Sequence, residues 1–457
     1  MNKILAFILS VVLTISGVGA SVLGYTEGTP IKATQREYKF DKEKLLIGGY
    51  YGRYDELDYA AEAGIDFIID DGIDKAYLDK AESLNIGVIA VGYQGIGRYY
   101  GTMTENDGMN WVNFDYSSLQ DHKALWGLDL IDEPDSFAYP HIQIACKALY
   151  DQNKKLVPLV NLFPSYANDQ QLGEESGLNF LQKVFSLFTD HLTDSTAKYK
   201  KYVSDYINKI DTDYISVDYY PYSASLDKNG NTVKITNSGW IRNLDLLAEA
   251  CRETDRKLLV ITQAAGETKD GAEGGPRWCD EKSDINQQMY ASLAFGAKAV
   301  IHGLFSRDGW WQTDSHMIGS DGRPTETFYA AKEVNLEVKK FADVYGNYKY
   351  TSTYMLNPGK VAGASDPFLN CEVASERGGI KSSNGLLVGT FTGENGSKAY
   401  VVVNMEELND NVTADFTFDF ETGKNITVYQ EGSLKVPNGS SEKITLKPGE
   451  GVFITVE

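Results

Sequence analysis

The stretch Gly127-Leu128-Asp129-Leu130-Ile131-Asp132-Glu133-Pro134 decides how the chain reads. A short apolar run bounded by a turn signal is a buried strand of a parallel sheet. Here the run stops at two carboxylates and a proline. Pro134 has no N–H to give to a ladder and suits a turn or the first position of a helix. Asp132 and Glu133 therefore stand where a strand hands over to a helix. In parallel α/β architectures, sites are built at that end of the strand.

Working outward, strand-like runs at 44–52, 66–71, 87–92, 127–133, 156–163, 214–220, 257–263 and 299–305 alternate with amphipathic helix patterns. The helical patterns lie at 55–63, 75–84, 141–152, 196–210, 240–254, 284–296 and 325–345. Strands alternating with helices imply βα units and a parallel sheet. Eight units over roughly 300 residues fit an α/β fold, the (β/α)8 TIM barrel. A doubly wound open sheet is the rival, but no Gly-x-Gly-x-x-Gly loop follows the first strand and no P-loop is present. After residue 346 the texture changes. Short β-rich runs at 385–392, 399–403, 412–420, 426–430, 442–446 and 451–456 are separated by Gly, Asn and Asp turns. They read as an all-β sandwich of about 100 residues. The expected organisation is a barrel over 40–346 and a sandwich over 347–457.

The first 20 residues read as a signal peptide, with Lys3, an apolar run at 4–13 and the small residues Val18-Gly19-Ala20. Export with cleavage near Ala20 is expected, and no other run approaches the length of a membrane span. A net charge of −21 argues against nucleic acid or an anionic membrane as the main partner. Cys146, Cys251, Cys279 and Cys371 form no C-x-x-C pair, and there are only 5 His. No metal site is signalled and no cofactor is expected. Cys146 and Cys251 lie in helical patterns and read as buried thiols. The 29 Tyr and 6 Trp offer flat apolar faces with a polar tip.

In a barrel, the strand C-termini open into one bowl. They would deliver Tyr51, Asp70, Asn161, Asp218, Tyr220, Gln263, His302 and Trp310 beside Asp132 and Glu133. That set is polar, aromatic and rich in carboxylates. It suits cleavage of glycosidic bonds, in which two carboxylates flank the bond, amides hold hydroxyls and rings stack on sugar. Glu133 is expected to be the general acid, assisted by Asp132 and Asp218. Tyr51, Asp70, Asn161, Tyr220, Gln263 and Trp310 are expected to hold a carbohydrate. A structural role competes at each position, since strand-end Asp residues often cap the next helix. Asp135 or Ser136 would do so after Pro134, leaving Glu133 free.

Through Asp132-Glu133-Pro134, Val160-Asn161-Leu162-Phe163-Pro164, Ser216-Val217-Asp218-Tyr219-Tyr220-Pro221 and Ala291-Ser292-Leu293-Ala294-Phe295-Gly296-Ala297-Lys298, the chain resembles the clan A glycoside hydrolases. Within them it is most similar to family-42-type barrels of microbial carbohydrate enzymes. The trailing sandwich is similar to their accessory domains. The resemblance implies an acid/base glutamate on strand four, usually after Asn, and a nucleophilic glutamate ending strand seven. Glu133 matches the first, with Asp132 where Asn usually stands. Strand seven ends on Gln263, and an amide cannot form a glycosyl ester. Asp218 or Glu267 would serve instead, or the enzyme inverts, or the substrate supplies its own acetamido group. The last option draws on a looser similarity of Asp129, Asp132, Glu133, Asp218-Tyr219 and Trp310 or Trp311 to chitinase-type barrels. A barrel that binds glycans without cleaving them is the remaining alternative.

Overall fold

The computed structural model describes residues 30–92, 118–173, 195–226, 228–237, 239–266, 279, 281–306, 316–363, 372–374, 376–377, 379–437 and 439–457. The predicted signal segment lies outside them.

The eight expected strands are present: β1 (Leu46–Tyr50), β2 (Phe67–Asp70), β3 (Gly87–Val91), β4 (Leu125–Asp132), β5 (Val157–Leu162), β6 (Tyr214–Tyr219), β9 (Lys257–Gln263) and β10 (Ala297–Gly303). They close into a parallel barrel in the order β1-β10-β9-β6-β5-β4-β3-β2. Leu46, Phe67, Trp126, Leu159, Tyr214 and Leu259 fill its floor, where Phe40 stacks on Trp126 with centroids 4.6 Å apart. Side chains alternate along a strand. The period that points Leu46, Leu159 and Tyr214 inward therefore also points Tyr50, Asn161, Ser216 and Asp218 inward, above the floor.

Helices α1 (Leu57–Glu62), α2 (Lys75–Ser83), α3 (Tyr139–Gln152), α4 (Ser195–Lys209), α5 (Trp240–Thr254), α6 (Lys282–Ala294), α7 (Glu326–Lys339) and α8 (Ala342–Gly346) follow the predicted patterns with two differences. The first expected helix begins as a 3-10 turn, Tyr54–Glu56, because Glu56 is drawn inward. It accepts from the Arg53 N–H at 3.0 Å and from Ser306 Oγ at 3.0 Å. The single helix expected at 325–345 is two. The break falls at Phe341, whose ring is buried and stacks on Phe453 at 5.1 Å.

One hairpin was not anticipated. β7 (Tyr222–Leu226) and β8 (Thr232–Thr236) pair antiparallel within the loop after β6. Their turn contains Asn229-Gly230, a recognised hairpin signal.

The C-terminal strands form two antiparallel-rich sheets. The larger contains β11 (Tyr348–Leu356), β12 (Glu372–Ala374), β15 (Leu386–Gly393), β16 (Lys398–Asn404), β18 (Ile426–Gln430), β19 (Ser433–Lys435) and β21 (Gly451–Val456). The smaller contains β13 (Glu376–Arg377), β14 (Ile380–Ser382), β17 (Ala414–Asp419) and β20 (Ser441–Leu446). Sequence reading missed β11, which pairs along its length with β15. Val388, Val402 and Ile454 fill the sandwich interior with Phe416 and Phe418. Their strand neighbours Leu387, Val401 and Phe453 point the other way and join the barrel's apolar core. The approach is close. A side chain on Gly389 would place Cβ 2.1 Å from the Ala294 carbonyl oxygen, and Thr353 Oγ1 donates to that oxygen at 2.8 Å. The hairpin reaches the sandwich too, through Thr236 Oγ1 donating to Glu407 Oε2 at 2.9 Å.

Candidate active site

Neither Asp135 nor Ser136 caps α3, whose N-cap is Ala138 with no side-chain cap; Asp135 instead holds the turn before it. Asp135 Oδ1 accepts the N–H groups of Phe137 at 3.0 Å and Ala138 at 3.1 Å, closing the turn into α3. Glu133 is left half-buried at the bowl. Its backbone takes a left-handed φ of 50°, and its N–H donates to the Asn161 carbonyl at 2.8 Å. Tyr51, at the end of β1, also has a left-handed φ, of 61°. Such conformations are costly for residues with a Cβ and gather at functional sites. The Tyr202 hydroxyl, from α4, donates to the Pro134 carbonyl at 2.7 Å and accepts from the Phe163 N–H at 3.3 Å. One buried phenol thus ties the β4 loop to the β5 loop.

Asn161 is the centre of the site. Its Nδ2 donates to Asp132 Oδ1 at 3.0 Å and to Asp218 Oδ1 at 2.8 Å, while its Oδ1 accepts from Ser216 Oγ at 2.9 Å. The amide is 2% exposed. Both of its protons are committed, so it holds two carboxylates rather than a ligand. Two oxygens accepting from one NH2 group lie about 5 Å apart. Asp129 sits beside this pair, fully buried, with Tyr50 Oη donating to its Oδ2 at 2.6 Å. Burial pushes its carboxyl up to about 7; the Tyr50 hydrogen bond opposes the shift and Asp132 adds to it.

Other expected contacts are placed differently. Gln263 is fully buried. Its Nε2 donates to the Tyr222 and Ala265 carbonyls at 3.1 and 3.2 Å, and its Oε1 accepts the Tyr222 N–H at 3.0 Å. The amide replaces a peptide group in splicing β9 to the hairpin, which leaves nothing to offer a sugar. Asp70 is also set apart. Burial first, then Asp71 and Glu56, push it up to about 7, while Arg53 and the Asp71 N–H oppose the shift. Its neighbours belong to the β1 and β2 loops rather than to the Asp132–Asp218 pair. His302 faces outward, with Nε2 2.8 Å from Asn335 Oδ1 of α7, and burial pushes it down to about 4. Tyr220 remains half-buried at the bowl. Its hydroxyl would be 3.3 Å from a Cβ on Gly303, so the side chain reaches past β9 to the end of β10. Tyr51 is half-buried, its ring edge-on to Tyr50 at 4.9 Å. Trp310, Trp311 and Glu267 lie outside the described residues.

Sequence reading missed Ser216 and Tyr202. Ser216 was open to discovery, since it lies two residues before Asp218 and so on the same inward face. Tyr202 carried no local signal, because its partners come from two other elements. Among the described residues no group of three or more His, Cys, Asp or Glu is arranged to hold a metal. No helix among them is long and apolar enough to cross a membrane.

Solved structures that align with this fold over most of their length include glycoside hydrolases. A cold-adapted β-galactosidase from Rahnella sp. R3 aligns over 93% of this chain and 100% of its own, with a TM-score of 0.52 at 10% identity. A solved protein described as a glycoside hydrolase aligns over 95% of this chain and 98% of its own, with a TM-score of 0.51 at 11% identity. At these identities the likeness is one of fold. No protein-family profile and no curated protein matches the sequence.

Proposed function

We propose that the chain is an exported glycoside hydrolase whose barrel (40–346) cleaves O-glycosidic bonds and whose sandwich (347–457) braces it. The observation that carries this reading is the Asn161 amide held between Asp132 and Asp218, beside Glu133. Glu133 is the general acid. It protonates the glycosidic oxygen as the bond to the anomeric carbon breaks. Asp218 is the second carboxylate, acting on the sugar or on water. The hydrogen bond from Asn161 fixes its direction, and charge-assisted bonds of this kind are strong. Asp132 shares the amide and adds negative charge where positive charge develops at the anomeric carbon. Tyr51, Tyr220 and Trp310 hold sugar. Export rests on the segment 1–20.

The test is hydrolysis of aryl glycosides and oligosaccharides by wild type, Glu133→Gln and Asp218→Asn. Each variant is expected to lose activity by roughly 10²–10⁴-fold. The anomer first released, read by proton NMR, then assigns Asp218 to direct attack or to activation of water. Activity that survives Glu133→Gln removes Glu133 as the acid. Gln263 supports a second reading, since β9 ends on a scaffold amide instead of a carboxylate. Glycan binding without hydrolysis in wild type would establish that reading.

A further inference from the structure

Helix α6 lies between barrel and sandwich, and every residue from Asp284 to Ala294 is buried. On its sandwich side, a Cβ on Gly451 would be 2.2 Å from the Tyr290 ring. A helix buried all round is expected to be apolar throughout. α6 instead buries Asp284, Gln287 and Gln288, spaced i, i+3 and i+4 and therefore on one face. Each meets a different part of the molecule. Gln288 pairs with the Gln263 backbone as a neighbouring strand would, its Oε1 accepting the N–H at 2.7 Å and its Nε2 donating to the carbonyl at 2.9 Å. Asp284 holds Lys234 of β8. Gln287 Oε1 accepts from Tyr222 Oη at 2.9 Å, and its Nε2 donates to the sandwich carbonyls of Glu406 at 3.2 Å and Asn404 at 3.4 Å.

Tyr222 is the other end of this path. Its backbone takes both ends of the Gln263 amide, so hydrogen bonds run without a break from the sandwich through Gln287 and Tyr222 to the end of β9. The sandwich segment 404–409 also grips the hairpin directly. Asn409 Nδ2 donates to the Lys234 carbonyl, and Thr236 Oγ1 donates to Glu407. Asp218 needs none of this, because it lies within the β6–β9 ladder opposite Ile261. Tyr220 does, because the ladder ends at Tyr219. The next anchors after it are the Pro221 carbonyl, which accepts the Asn237 N–H at 2.8 Å, and the Tyr222 splice. A buried polar network costs more than apolar packing of the same shape, and it holds one arrangement where apolar surfaces can slide.

We propose that Tyr222 and Gln287 are positioning residues, through which the sandwich segment 404–409 sets Tyr220 at the bowl. Recognition of carbohydrate by the barrel then depends on hydrogen bonds made to the sandwich. The inference rests on Tyr220 holding sugar, as in the reading above. A residue that orients a substrate contact acts on KM and leaves the chemical step alone.

The test is KM and kcat of the full chain on aryl glycosides and on galacto-, gluco-, xylo- and chito-oligosaccharides, for Tyr222→Phe, Gln287→Leu and the pair. Tyr345→Phe is the control. Tyr345 is also buried where barrel meets sandwich, and its Oη donates to the carbonyls of Leu293 at 2.9 Å and Ala297 at 3.1 Å, at the far end of α6 and the start of β10. Tyr222→Phe and Gln287→Leu are each expected to raise KM roughly three- to tenfold with kcat within about twofold, and the pair to do no more than either alone. Tyr345→Phe lowers the urea midpoint comparably and leaves KM unchanged. Tyr222→Phe removes a single oxygen and decides the matter against this control if Gln287→Leu does not fold. An unmoved KM in Tyr222→Phe, effects that add in the pair, or an equal KM shift in Tyr345→Phe overturns the relay. The glycosidase reading fails separately. If wild type binds an oligosaccharide without cleaving it, calorimetric Kd replaces KM, and the same pattern keeps the relay while removing the glycosidase. Hydrolysis with KM unmoved in the variants does the reverse, and a wild type that neither binds nor cleaves overturns both.

Discussion

At the scale of single residues, Gln263 shows how a side chain at the strand end where the resemblance implies a nucleophile can do structural work instead. Its NH2 group donates to two carbonyls and its oxygen accepts an N–H. A carboxylate there would lose both donors and face two carbonyl oxygens in the dry interior. Gln263→Glu is therefore expected to cost about 3 kcal/mol of stability, read by urea unfolding, without raising hydrolysis. A variant as stable as wild type would show that the splice is dispensable. Asp129 makes a second prediction. Its folded carboxyl titrates near 7, above the ordinary 3.8, because it is buried. Between about pH 4 and pH 7 the folded chain keeps a proton that the unfolded chain has released, so this group's stabilisation falls as pH rises and levels off above pH 7. His302 works in the opposite sense, since burial holds it near 4 and stability is lost as pH falls below its ordinary 6.5. Comparing wild type with Asp129→Asn cancels the His302 contribution. The variant is expected to gain stability relative to wild type from pH 4 to pH 7, and a constant difference between the two urea midpoints would refute the assignment.

At the scale of elements, the barrel strands were legible because both of their faces are buried. Each reads as a continuous apolar run that ends abruptly in polar residues. The β7–β8 hairpin was not legible as such, although Asn229-Gly230 marked its turn. Its strands alternate weakly, and a buried ion pair holds it in place. Lys234 Nζ lies 2.8 and 2.6 Å from the two carboxylate oxygens of Asp284, with side-chain exposures of 8% and 0%. Asp284 also accepts the Glu281 N–H at 3.1 Å and so starts α6. Removing one partner leaves a buried charge, and Lys234→Ala is expected to cost about 3–5 kcal/mol, measured by chemical denaturation. A loss below about 1 kcal/mol, the value of an exposed pair, would mean that water reaches Asp284.

At the scale of the molecule, barrel and sandwich share one apolar core. Phe453 packs with Phe341 at 5.1 Å and with Tyr345 at 5.7 Å, while Phe391 meets Tyr345 at 5.3 Å. Deleting residues 347–457 uncovers that surface. The shortened chain is expected to aggregate or lose cooperative unfolding, whereas the full chain unfolds in one transition. A soluble barrel with an unchanged midpoint would show two independent domains.

The sequence by itself determined the order of the eight barrel strands and of the helices that alternate with them, and Glu133 at the end of β4. Those features are written in local runs, in the period of alternation and in the punctuation of Pro134. Tertiary structure decided which polar groups remain for chemistry. Asn161 spends its amide on residues 29 and 57 positions away, and Gln263 spends its own on a backbone 41 positions away. A hydrogen bond satisfies its donor irrespective of sequence separation, so no local pattern reveals whether a polar side chain is free to meet a substrate or is already held by the fold.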